Sequence, residues 1–168
     1  MSDDLKFVIT DYIQNRAMWN AMAKRVGLGN EGLDQTIELY TAAIMVPITG
    51  KALQKLGTHG FEPDGFMQQR GSFRFETRAD IRQIDVIGWL PEQHPGEVEI
   101  GVTCFEYELS QRCRPGASFR IGLPVEIAPM TEGAVCIELS TAFQPSVCSS
   151  ESSDSRILGC ILIAVEFS

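Results

Sequence analysis

The chain has 168 residues, the size of one ordinary domain with room for a short appendage. Apolar residues make up 44% and charged residues 21%, which argues against wholesale disorder. With 14 Lys and Arg against 22 Asp and Glu the net charge is −8, so the broad basic face that phosphate backbones require is missing and nucleic-acid binding is disfavoured.

No apolar run approaches the roughly 18 to 20 residues that cross a bilayer, so the chain is not expected to be transmembrane. The start, Met1-Ser-Asp-Asp, lacks the basic region of a signal peptide. The five cysteines are odd in number and lack metal-ligand spacing, which reads as reduced thiols in a cytoplasmic protein.

Residues 1–58 carry six basic and six acidic side chains, so the whole −8 lies beyond them, where all eight basic groups are Arg. Residues 1–57 read as a helical segment. Leu5, Val8, Ile9, Tyr12, Ile13, Trp19, Met22, Ala23 and Val26 form one apolar stripe at helical spacing. Ser2 suits the N-cap, Asp3 and Asp4 suit the first turn, Lys24 and Arg25 suit the last turn, and Gly27 or Gly29 can end the helix. A second segment, with Leu33, Ile37, Tyr40, Ala43, Ile44 and Pro47, suits a helix up to Pro47. Thr36-Ile37 and Ile44–Val46 would equally suit strands.

From residue 58 to 168 the apolar period is two. Expected strands contain Phe73 and Phe75 and cover 81–90, 97–109, 117–123, 134–143 and 157–167, with turns at Pro91, Pro95-Gly96, Pro115-Gly116, Pro129 with Gly133, and Pro145. Cys160–Phe167 is apolar on both faces, as in a central strand. Ser146–Ser155 reads as a mobile loop. Short strands without intervening helices predict a mainly β fold, an antiparallel β-sandwich of jelly-roll-like type preceded by one or two helices.

Little in this pattern suggests catalysis. His59 and His94 fall in predicted loops, away from any nucleophile motif, and read as exposed loop histidines. The cysteine spacings resemble no zinc arrangement. Glu97, Glu99, Glu106 and Glu108 alternate as on a solvated face; a carboxylate-dependent hydrolase or lyase is the weakest reading. Gly27-Leu-Gly-Asn30 follows a helix and so does not make a phosphate loop. No catalytic residues are assigned, and the chain is not expected to be an enzyme.

Two segments stand out. Gly60-Phe-Glu-Pro-Asp-Gly-Phe66 joins a turn to aromatic residues, and Ser152-Ser-Asp-Ser-Arg-Ile-Leu-Gly159 enters the final strand. In the latter, Asp154 and Arg156 are close enough to pair and fix the loop. Between them stand Gly88-Trp-Leu-Pro91, Phe119-Arg-Ile-Gly-Leu-Pro124 and the stretch from Ile137 to Pro145. In order and spacing, residues 58–168 resemble the β-sandwich domains appended to bacterial glycosyltransferases of polysaccharide assembly. No glycosyltransferase domain accompanies them within these 168 residues.

The resemblance implies a noncatalytic, carbohydrate-binding-module-like domain acting in surface-polysaccharide biosynthesis. Its partners would be an oligosaccharide or polysaccharide, together with a glycosyltransferase or another protein. Sugar binding needs aromatic faces, which Trp89, Tyr107 and Phe66 could supply, and polar groups, which Arg112, Arg114, Glu106 and Gln144 could supply. No cofactor is expected; if a structural calcium ion is present, Asp64 and Glu62 are where it would sit. The alternative is a protein-interaction or assembly subunit whose Leu5–Val26 stripe docks on a partner or forms a homodimer.

Overall fold

The computed structural model describes residues 45–55 and 57–168; the expected helix of Leu5–Val26 and most of the Leu33–Pro47 segment lie outside the described residues. The described residues are mainly β. The strands are β1 (Ile48–Gly50), β2 (Ala52–Gln54), β3 (His59–Phe61), β4 (Phe66–Thr77), β5 (Ile81–Trp89), β6 (Val98–Cys104), β7 (Tyr107–Cys113), β8 (Ser118–Ile127), β9 (Glu132–Leu139) and β10 (Cys160–Phe167). One helical turn, α1 (Pro145–Cys148), precedes β10.

Alternation builds these strands. Phe119, Ile121, Leu123, Val125 and Ile127 of β8 are buried while the residues between them are not, and Phe73, Phe75 and Thr77 of β4 repeat the pattern. The inward residues of eight strands, β2, β4, β5, β6, β7, β8, β9 and β10, fuse into one apolar core. The hydrogen-bonded path runs β7-β6-β9-β4-β10-β5-β8; β1 pairs with β10 in parallel, and β2 and β3 pair with β4. The end strands β7 and β8 lie close together without a ladder, so the sheet nearly closes on itself.

Three details differ from the sequence expectation. The stretch 97–109 is not one strand but the β6–β7 hairpin, which turns at Phe105-Glu106 with Phe105 at φ 52°. No Gly, Pro, Asn or Asp marks that turn, so the usual signal for positive φ is missing. Cys104 and Cys113 therefore sit at opposite ends of the hairpin, across from Tyr107 and Val98. The sheet also reaches back before residue 58, because β1 and β2 pair with β10 and β4, and the compact unit starts at Met45. Finally, the Ser-rich stretch is fastened by backbone bonds: Ser146 N–H donates to Asp154 and Ser152 N–H to Ser149.

Gly88 of β5 lets this strand pack closely against β10 and β8. A methyl group there would lie 2.7 Å from the Ile161 carbonyl oxygen and would collide with the Phe119 ring. Gly88→Ala is expected to lower stability by about 1–3 kcal/mol, the usual range for overpacking, read as a lower urea midpoint with an unchanged slope.

Candidate functional site

Strand register assembles an outward-facing row. Ile161 of β10 pairs with Phe66 of β4 on one side and with Trp89 of β5 on the other, and Trp89 pairs in turn with Ser118 of β8. Directly opposed residues point to the same face of a sheet. Their chain neighbours Met67, Cys160, Leu162, Gly88, Leu90 and Phe119 are buried, so this row is on the outside. Phe66, Ile161 and Trp89 are each half-buried, and Ile163 beyond them is 52% exposed.

Next to Phe66 the two distinctive sequence segments meet. Glu62-Pro-Asp-Gly65 turns β3 into β4: the Glu62 N–H donates to the Phe66 carbonyl (2.7 Å), and the Gly65 N–H donates to that of Glu62 (3.1 Å). Gly65 sits at φ 92°, which glycine adopts without strain. Arg156 reaches this turn from the β10 side. Its Nε and Nη2 donate to both carboxylate oxygens of Asp154 (3.0 and 2.7 Å), Nη2 also donates to Asp64 Oδ2 (2.8 Å), and Nη1 lies 3.7 Å from Glu62 Oε2. The paired guanidinium holds the Asp154 carboxyl below its ordinary range, and hydrogen bonds to Asp154 and Asp64 push the Arg156 pKa up.

Beside this node lies an open cleft of about 480 Å³, lined by His59, Glu62, Gln68, Gln69, Arg70, Arg156 and Ile157. Gln68 follows Phe66 on the same face of β4, and its Nε2 donates to Glu62 Oε1 (2.8 Å). Gln69 Nε2 donates to the Leu139 carbonyl (3.2 Å), and Arg70 Nε lies 3.3 Å from Cys136 Sγ. The sequence alone gave no hint of Gln68, Gln69 or Arg70; only the turn beside them was conspicuous.

The other candidates are dispersed. Tyr107, at the start of β7, is half-buried against the core, and Glu106 is exposed in the preceding turn. Arg112 lines a separate polar cleft of about 250 Å³ with Glu97, Glu99 and Ser140, and Arg114 pairs with Glu97 (3.4 Å). Gln144 precedes α1, where its carbonyl accepts from Val147 N–H (2.9 Å). No strand register groups these residues with Trp89 and Phe66.

Glu62 and Asp64 do not fit a calcium site. Both carboxylates face the Arg156 guanidinium, which supplies the local positive charge, whereas calcium needs six to eight oxygen ligands. Among the described residues no three His, Cys, Asp or Glu side chains are grouped to hold a metal ion. The cysteines are free, and burial raises the Cys104 and Cys160 thiols to about 12. No helix among the described residues is long and apolar enough to cross a membrane.

His59 is exposed at the cleft, but His94 is not an exposed loop residue. It is buried edge-on against Phe143, with ring centroids 5.1 Å apart. Its Nε2–H donates to the Gly159 carbonyl (2.6 Å), and Thr141 Oγ1 lies 3.4 Å from Nδ1 and can donate to it, which describes the neutral ring. Burial lowers its pKa, against an opposing contribution from the Gly159 carbonyl. The histidine thus ties the Pro91–Pro95 loop to the entry of β10.

Compared with known proteins, the chain matches no family model, no curated protein and no solved structure.

Two outcomes follow from these ties. Arg156→Ala removes the link between the Asp64 turn and the β10 entry, so amide exchange at Glu62–Phe66 and Ser152–Arg156 should quicken while that of β6 and β9 stays unchanged. For His94, the unfolded state binds a proton below the ordinary value of 6.5 while the folded state still resists it. Its contribution is therefore complete above about pH 6.5 and declines as pH falls through the lowered folded pKa. Urea midpoints measured between pH 7.5 and 5 should fall with acidification, and less steeply in His94→Gln.

Proposed function

We propose that the β domain is a noncatalytic carbohydrate-binding module of the β-sandwich kind found beside bacterial glycosyltransferases. It would serve surface-polysaccharide assembly on the cytoplasmic side with a glycosyltransferase as partner. In this reading the nearly closed sheet is a jelly-roll-like sandwich, and the face of β4, β10 and β5 is its ligand platform. The observation that carries the reading is the alignment of Phe66, Ile161 and Trp89 in one outward row. Aromatic faces pack against the C–H surfaces of sugar rings, while flanking polar groups meet the hydroxyls.

The neighbouring cleft supports the same reading, since Gln68 and Arg70 continue the outward positions of β4 from Phe66. At this turn Arg156 lowers the pKa of Asp154, so that carboxyl is not suited to act as the general acid of a glycosidase.

A glycan-array screen with the full chain and a Trp89→Ala control tests the proposal. The expected result is binding of one glycan class, weakened at least about tenfold in Trp89→Ala, the loss of one buried stacking contact. A circular-dichroism spectrum and thermal midpoint near those of the parent would show that the variant is folded, and Trp89→Phe should retain most of the binding. Silence across a broad array would overturn the proposal in favour of a protein-interaction or assembly subunit.

A further inference from the structure

Resting on the carbohydrate-binding reading, we infer that the cleft of His59, Glu62, Gln68, Gln69, Arg70 and Arg156 selects an uncharged sugar residue, one ring beyond that stacked on the Phe66–Trp89 row. The two arginines at this cleft suggest an anion site at first sight. Their partners argue otherwise. Arg156 is engaged by three carboxylates, from Asp154, Asp64 and Glu62, and Arg70 stands opposite Glu138 in the β4–β9 ladder with its Nε against Cys136.

Two guanidinium groups therefore stand among four carboxylates, in a chain whose overall charge is −8. A uronate, sulfate or phosphate group entering here meets more carboxylates than guanidinium groups and must approach at least one carboxylate, which costs free energy. Hydroxyl groups have no such difficulty. Each can donate to the Glu62 carboxylate and accept from a guanidinium or amide N–H, and the cleft offers acceptors and donors side by side. Gln68 and Gln69 are already oriented through Glu62 Oε1 and the Leu139 carbonyl, so less side-chain entropy is lost when a ligand binds.

The position of the cleft adds a size criterion. Gln68 is two residues along β4 from Phe66 on the same face, about 7 Å at ordinary strand rise, so one ring on the aromatic row and the next in the cleft are neighbouring units of a chain. A neutral oligosaccharide satisfies both places; a monosaccharide satisfies one.

The test uses the full chain against neutral oligosaccharides and against uronate-, sialic-acid- and sulfate-bearing counterparts. Titration calorimetry of the best binders follows at 50 and 500 mM NaCl. Neutral chains should bind at least tenfold more tightly than their acidic counterparts, with a Kd that changes less than twofold with salt. Gln68→Ala and Arg70→Ala, checked for an unchanged thermal midpoint, should each weaken neutral-glycan binding at least fivefold. Preference for acidic glycans with strong salt dependence would overturn the inference and leave the aromatic-row reading standing. So would binding that is lost in Trp89→Ala but untouched in both cleft variants. Absence of glycan binding altogether would overturn both.

Discussion

The register of β10 is the constraint on which the rest of this domain depends. Cys160 and Leu162 point inward, Ile161 and Ile163 outward, and strict alternation would then send Val165 and Phe167 outward too. A bulge between Leu162 and Ala164 shifts the phase by one residue. Val165 and Phe167 are thereby brought into the core, where the Phe167 ring packs 4.9 Å from that of Phe75. The apolar pattern of this strand is thus partly two inward phases joined by a bulge, with Ile161 and Ile163 remaining apolar on the outer face. The same shift leaves Ile161 outside, between Phe66 and Trp89. A slip of β10 by one residue would bury Ile161 and expose Val165 and Phe167.

Polar contacts fix where β10 begins. Gly159 N–H donates to the Met67 carbonyl (2.7 Å), its own carbonyl accepts from His94, and a side chain at this position would lie 2.6 Å from the Gln68 carbonyl oxygen. Arg156 then clamps the residues just before it to Asp64 and Asp154. The buried His94–Gly159 bond adds modest net stability, but leaving it unmade is costly, which makes it effective at excluding alternative registers. The cleft and the aromatic row inherit their alignment from these ties, because both are built on β4 and on the segment leading into β10.

The strands were legible in the sequence because a period of two survives wherever one face is buried, as in Phe119–Ile127. Features without a local signature were not. The turn at Phe105-Glu106 lacks the residues that favour positive φ, and β1 and β2 are three residues each, too short to display a period. His94 sits in Gln-His-Pro-Gly, a loop-like context, and its burial comes from Phe143 and Gly159 far along the chain. The site divides in the same way. Asp154 and Arg156 are two residues apart and their pairing was readable, whereas Asp64 lies 92 residues from Arg156 and Gln68 acquires its place only through the fold.

The outer face of β4, β10 and β5 is divided along its length. At one end stand Phe66, Ile161 and Trp89; toward the other, Arg120 of β8 donates to Asp85 and to Glu166 (2.8 Å each), with Gln83 also donating to Asp85 (2.8 Å). Arg120 and the Gln83 amide hold the nearly buried Asp85 ionised, so that end of the face is committed to charge. The apolar strip that remains amounts to a few half-buried side chains and the exposed Ile163. An aromatic side chain buries about 150–250 Å² when fully covered, and a stable protein interface takes roughly 800 Å² from each partner. Two aromatics already half-covered by their own sheet, with Ile161 between them and Ile163 beyond, fall short of that figure. On the carbohydrate-binding reading proposed above, a strip of this width bounded by charge would suit a ligand only one or two rings long, which the polar cleft at its Phe66 end would let continue.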